Sequence, residues 1–477
     1  MALLALGPAR AAGAPVWSDS DAAILGAALD EAGREGLDPR DYAVPPMPAG
    51  QARDMRLTSA AIAYVRDLRL GRARLKALDD DVQLPPQDFD AAAALDAALQ
   101  NHRLGPFLAG AAPPQPEYAA LRKALAFYRG VAVKGGWPAL PDGTPADFAD
   151  GKNAALLRRR LAYEDPAAAL PGADVTEAVK RFQARHGLDA DGRVGARTLA
   201  ELNMTADARV QQIVANMERW RWLPRQFEAS YIAINVPDAR LALTLDGKRV
   251  LESRVVVGKP KTPTPIMRAE GAGVTINPPW NVPASIARRE ILPKLKANPS
   301  YLKSQDMILV NGPPGDPHGL HVNWRAIPAG TFPYRIQQHP GPKNSLGTIK
   351  IELPNKFAVY LHDTPAKQAF NRPARDLSHG CVRVEQILPL ASYALASNLS
   401  ATDMLSNAVA AGKTQYLPLE RRLPVYFLYW TAFAEADGTF QFRPDIYGRD
   451  ARLIAALQKG AAMRVSANTA KCVKARG

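Results

Sequence analysis

Up to Leu223 the apolar positions recur at helical spacing, and beyond Pro224 the period switches to alternation. Residues 17–136 are rich in alanine and predict several short helices. Ile24, Leu25, Ala28 and Leu29 share one face of a helix over 22–34, with Gly36 beyond its end. Thr58 or Ser59 is the expected cap of a second helix, which runs to Leu70 and stops at Gly71. Leu121, Leu125 and Phe127 lie on a third, over 114–131. Asp174 caps a fourth, with Glu177 expected to close a capping box and Val175, Ala178, Val179 and Phe182 on one face. Gly187 ends it, and after the turn at 189–192 Val194 and Gly195 open a short helix through Leu202. A linking helix over 208–223 carries Val210, Ile213, Val214, Met217 and Trp220 on one stripe, read as core packing.

The second half alternates. A strand is expected over 231–236, and a hairpin joins 240–245 to 249–257 across Asp246-Gly247, a strong two-residue turn. Further strands are expected over 273–277, 347–353, 357–361, 424–432 and 439–442, with one good helix over 385–398. Between Asn277 and Gly347 lies an insertion too long for a structureless loop, so it predicts a subdomain or lid with a basic helix over 285–297.

The chain has 477 residues, enough for two to four domains, and its 22% charged and 47% hydrophobic residues describe a folded protein. Sixty Lys and Arg against 46 Asp and Glu give a net charge of +14, which suits an acidic partner or surface. The basic residues are spread along the chain and no nucleic-acid module is visible, so nucleic acid is not an expected partner. No run approaches the length of a transmembrane helix. Residues 1–16 resemble the end of a signal peptide without its positive start, and equally an Ala-rich cytosolic tail. Two cysteines, Cys381 and Cys472, cannot build a disulfide framework and are read as free thiols.

The chemistry concentrates between His362 and Arg383. The stretch begins His362-Asp363-Thr364-Pro365 and ends Ser378-His379-Gly380-Cys381-Val382-Arg383. A thiol is mostly protonated at neutral pH, so a cysteine nucleophile needs a base, and an imidazole can take that proton and return it to a leaving amine. Gly380 frees the backbone to turn so that nearby amides can face a developing oxyanion. The plainer reading of a lone cysteine is a small buried hydrophobe. A zinc site of His362, His379 and Cys381 matches no usual ligand spacing, and His318, His321 and His339 show none either, so no metal or other cofactor is expected.

The two half-motifs and their separation resemble the signature of the L,D-transpeptidase (YkuD-type) catalytic domain. The resemblance implies Cys381 as nucleophile and His362 as general base and acid, oriented by the backbone carbonyl of Asp363. His379 and Gly380 would shape the oxyanion site, and Arg383 would face the substrate. Trp280, in the Asn-Pro-Pro-Trp-Asn-Val-Pro run starting at Asn277, and Tyr360 would line the pocket; ordinary aromatic packing is the equal alternative. Residues 175–203 resemble a small three-helix peptidoglycan-binding domain, which either grips glycan or braces its neighbours. Residues 36–42 with 57–72 resemble the helical scaffold of multidomain Gram-negative members.

The expected fold is multidomain α + β: a signal-peptide remnant (1–16), a helical scaffold (17–142), the peptidoglycan-binding domain (143–205), a linking helix (206–227) and a mainly-β catalytic domain (228–477) with a capping insertion at about 282–337. By resemblance the enzyme is a periplasmic cysteine acyltransferase that cross-links peptidoglycan stem peptides 3→3 and is acylated by carbapenems. Its implied partners are stem peptides, glycan strands and other cell-wall synthesis proteins. An L,D-carboxypeptidase, a lipoprotein-anchoring enzyme and a non-catalytic wall-binding scaffold are the alternatives.

Overall fold

The computed structural model describes residues 15–73, 78, 80–149, 151–435 and 437–459. Residues 1–14 of the leader-like segment and Cys472 lie outside them. The chain forms two compact units, one holding Leu84–Gln226 with the flanking segments up to Asp80 and from Trp430, the other Phe227–Tyr429 with Asp81–Gln83.

The first unit is helical. Asp19–Asp30 is capped by Ser18 and continues as a 3-10 turn to Glu35, stopped by Gly36 at φ +69°. The second helix, Gln51–Leu70, starts a full two turns before the expected cap, because Thr58 and Ser59 turn their hydroxyls back onto the carbonyls of Asp54 and Met55 instead. With Ala91–Gln100 and Leu104–Ala109 these helices bury Leu25, Leu57, Tyr64, Leu68, Leu95 and Leu104 in one core. A second core joins Phe148, Leu157, Leu161, Val179, Phe182 and Leu202. Asp174 caps Val175–Arg185 by accepting from the Thr176 amide, whereas Glu177 pairs with Lys180 and closes no capping box.

Ala206–Arg221 is buried beyond its apolar stripe, since Arg209, Glu218, Arg219 and Arg221 are also buried and each meets an opposite charge. The catalytic domain is expected to run to 477, but the described residues after Tyr429 group with the helical unit. Trp430 stacks on Trp220 at 4.5 Å, Thr431 takes its amide to Asn216 at 3.0 Å, and Asp450 pairs with Arg219. The hairpin of Ala432–Ala434 with Phe440–Phe442 therefore belongs to the helical unit.

The second unit is mainly β. Its strands are β1 (Val82–Gln83), β2 (Tyr231–Asn235), β3 (Arg240–Leu245), β4 (Lys248–Gly258), β5 (Ile266–Ile276), β6 (Trp280–Asn281), β7 (Met307–Leu309), β8 (Ile336–Gln338), β9 (Ile349–Glu352), β10 (Leu361–His362), β11 (Asp376–Ser378), β12 (Val382–Val384) and β13 (Gln415–Leu428). The β3–β4 hairpin turns at Asp246 and Gly247, both at positive φ as expected. The order β5-β13-β2-β3-β4-β12-β10-β9 returns to β5, which closes the sheet into a barrel and leaves its strands without a free edge. Helices Ile387–Ala396 and Thr402–Ala410 follow β12.

The insertion is a folded subdomain. β6, β8 and β7 form its own sheet, and Val282, Ile291, Leu292, Leu295, Leu302 and Trp324 its own core. Asn344 fastens its base by donating to the carbonyls of Pro278 and His339.

Candidate active site

Strand pairing brings the two half-motifs together. β10 runs parallel to β12 and antiparallel to β9, so Leu361 faces Val382 and Ile351, while His362 faces Arg383 and Lys350. Alternation then sorts the side chains. Ile351, Leu361 and Val382 are buried apolar positions, and Lys350, Glu352, Tyr360, His362, Cys381 and Arg383 share the opposite, polar face. The expected strand over 357–361 shrinks to Leu361–His362, since Ala358 sits at φ +53° and breaks the extended run.

The turn before the thiol is tied from the barrel side. The Ser378 hydroxyl donates to the Cys381 carbonyl at 2.6 Å and accepts from the Gly380 amide at 3.1 Å. Thr262 donates to the Ser378 carbonyl and Thr264 to that of Gly380. Gly380 holds φ +109°, which a side chain would strain. Its amide is thus engaged with Ser378 rather than free to meet an oxyanion.

Cys381 Sγ lies 3.7 Å from the Ala358 carbonyl, to which the thiol donates. Burial pushes the thiol up from its ordinary value, opposed by the Tyr360 backbone N–H and phenol, then by Lys350 and Arg383. His362 is buried, and burial, reinforced by the Arg383 guanidinium, pushes it down to about 3. The backbone of Asp363 and of Leu346 favours its charged form but does not prevail, and Nδ1 makes no well-formed hydrogen bond. No hydrogen bond joins His362 to Cys381; they are diagonal neighbours on one face. Both shifts favour the uncharged forms, thiol and imidazole.

Tyr360 links the remaining pieces. Its ring stands 5.5 Å from that of His362 and carries the Lys350 ammonium 4.3 Å above it. Burial, then Cys381, drives its phenol far above the usual range, while a hydrogen bond from Trp280 eases it. Trp280 also packs against the insertion core. Asp363 turns its side chain away from the thiol. Burial raises its carboxyl, yet Lys367 and the amides of Thr348 and Thr364 outweigh that and hold it low. Gly347, at φ +63°, makes room, since a Cβ there would lie 2.4 Å from the carboxyl carbon. His379 points outward to Glu290 of the insertion. Arg383 is half-buried, with Nε unpaired.

Lys350, Glu352 and Glu290 were not singled out in the sequence. Only the alternation of Ile349-Lys350-Ile351-Glu352 could have signalled the first two. Among the described residues no three His, Cys, Asp or Glu side chains group to hold a metal. His318 bonds the Met307 carbonyl, and His321 lies 3.6 Å from Asp316. Among them, too, no helix is long and apolar enough to cross a membrane.

Family comparisons bear on the same segments. The profile of the L,D-transpeptidase catalytic domain matches residues 229–406, that of a scaffold domain residues 9–125, and that of a "Putative peptidoglycan binding domain" residues 155–202. A Haemophilus influenzae protein named "Putative L,D-transpeptidase" is 37% identical over 257 residues, or 54% of this chain and 50% of that protein, so the match spans half the relative's length. An L,D-transpeptidase structure from Mycobacterium smegmatis is 12% identical with a TM-score of 0.22, covering 42% of this chain and 58% of that one. An LD transpeptidase in complex with imipenem is 11% identical with a TM-score of 0.21, covering 42% and 59%. Scores this low carry no weight beside the sequence matches. On those matches, residues 229–406 resemble an L,D-transpeptidase catalytic domain, and the segments before them resemble a scaffold domain and a peptidoglycan-binding-type domain.

Proposed function

We propose that the protein is a peptidoglycan L,D-transpeptidase working through a thioester on Cys381. The observation that carries this reading is the β10–β12 pairing, which sets the imidazole of His362 and the thiol of Cys381 on one polar face beside Arg383. Cys381 attacks the carbonyl between the L-centre of the third, diamino residue of a stem peptide and its terminal D-alanine. With the imidazole low and the thiol high, a preformed ion pair is not the resting form, so the proton passes to His362 as the C–S bond forms. Backbone amides near Cys381 and the Tyr360 phenol serve as the donors to the oxyanion in this reading. His362 then returns its proton to the departing amine of D-alanine. The side-chain amine of a neighbouring stem attacks the thioester, gives a 3→3 cross-link and restores the thiol.

In this reading Arg383 faces a substrate carboxylate, Trp280 and Tyr360 wall the pocket, and Asp363 and the Ser378–Cys381 turn hold the reacting groups in place. Peptidoglycan is the partner and the periplasm the compartment. The test is chromatography of muropeptides after incubation with purified tetrapeptide stems. Cross-linked dimers with loss of D-alanine support the reading. Tripeptide alone would make the protein a carboxypeptidase, and unchanged tetrapeptide would remove the enzymatic assignment.

A further inference from the structure

We propose that Glu290, on the inserted subdomain, is a positioning residue for the Ser378–Cys381 turn, acting by holding His379. The proposal rests on the transpeptidase reading above. His379 Nε2 meets the Glu290 carboxylate, and both side chains are partly exposed. An exposed pair of this kind contributes little to global stability, so any consequence lies in the geometry it imposes.

Two observations give it one. First, Ser378 and Gly380 are fixed from the barrel side, through Lys259, Thr262 and Thr264, whereas the His379 side chain reaches out to the insertion. The turn that presents Cys381 is thus clamped from both sides, and Glu290 is the insertion's half of the clamp. Second, Glu290 lies in a π-turn, Ala287–Ile291, inside an otherwise α-helical segment. Its cause is legible in the sequence. Pro293 has no N–H, and in a regular α-helix its ring would collide with the Arg289 carbonyl; the wider turn relieves both. Ala287, Ile291 and Leu292 go into the subdomain core, and 288–290 are left facing out. Of those three exposed residues, two arginines and a glutamate, it is the acid that meets the imidazole. The seating of the subdomain and the shape of the nucleophile's turn are thereby coupled.

The experiment measures the rate of Cys381 acylation by a tetrapeptide stem, by quenched-flow mass spectrometry on the full chain. Glu290→Gln, His379→Gln and the double variant are compared with the parent, and thermal unfolding checks that each is folded. Glu290→Gln is expected to slow acylation about tenfold at unchanged unfolding temperature, as small misplacements of reacting groups do. In the His379→Gln background it should add no further slowing, because both changes act on the same contact. A parent-like rate in Glu290→Gln, or slowing in the double variant equal to the product of the single effects, overturns the proposal. A parent that forms no acyl-enzyme contradicts the transpeptidase reading instead.

Discussion

Tyr360 opposes the upward shift of the Cys381 thiol in two ways, through its backbone N–H and through its phenol. Each donor favours thiolate over thiol, and burial works against them and prevails. Removing the phenol should therefore push the thiol higher still. Tyr360→Phe is expected to slow alkylation of Cys381 by iodoacetamide about three- to tenfold at mildly alkaline pH. Peptide mapping separates this thiol from Cys472. Equal rates would mean that the phenol does not bear on the thiolate.

The Arg383 guanidinium, registered opposite His362, helps burial keep the imidazole neutral. Arg383→Met should raise the imidazole's titration in NMR, from about 3 toward the ordinary value of 6.5. Folding also lowers the proton affinity of His362. Its contribution to stability is therefore present above 6.5 and is lost as pH falls toward about 3. Between neutrality and pH ~5 that amounts to about 2 kcal/mol, which His362→Gln should not lose. An imidazole titrating near 6.5 in the parent would contradict both expectations.

The insertion should unfold independently of the barrel. Trp324 is 2% exposed in its core and donates from Nε1 to the Gly319 carbonyl. Trp324→Ala removes that filling at a cost of about 3–5 kcal/mol. Hydrogen exchange should then quicken throughout the insertion while β3 and β4 stay slow. In the parent, the Gly- and Pro-rich turns over 311–319 should exchange faster than the barrel. Uniformly slow exchange there would make the insertion a fixed wall.

In the helical unit Glu164 is buried against Arg160 and accepts from the Tyr128 hydroxyl at 2.7 Å. Burial raises its carboxyl, but His186, Arg160 and Arg209 outweigh that and hold it at about 2. Glu164→Gln leaves the buried Arg160 without its carboxylate and should cost about 3–5 kcal/mol in thermal or denaturant unfolding. A loss below about 1 kcal/mol would mean that solvent reaches the group.

Local signals carried much of this architecture. Asp246-Gly247 announced its hairpin, Gly36 and Gly187 their helix ends, and the two half-motifs the strands that bring His362 and Cys381 to one face. What escaped depended on long-range pairing. Nothing near Trp430 tells a strand of the barrel from a segment stacked on Trp220 in the helical unit. Thr58 and Ser59 look like caps until Asp54 and Met55 are seen to be helical already. Lys350 and Glu352 join the site only through register with His362, and Glu290 only because a distant helix folds beside the turn. The shifts of Cys381 and His362 toward their uncharged forms were illegible for the same reason, since burial drives both and Arg383 reinforces only that of His362.

The most direct test of the account is the covalent intermediate. The full chain is mixed with a tetrapeptide stem, acid-quenched within the first turnovers and weighed intact. The account predicts one adduct per chain, with the mass of the stem acyl group after loss of D-alanine, mapped to Cys381 and absent in a folded Cys381→Ala variant. No adduct on the folded parent, or an adduct on Cys472, would contradict it.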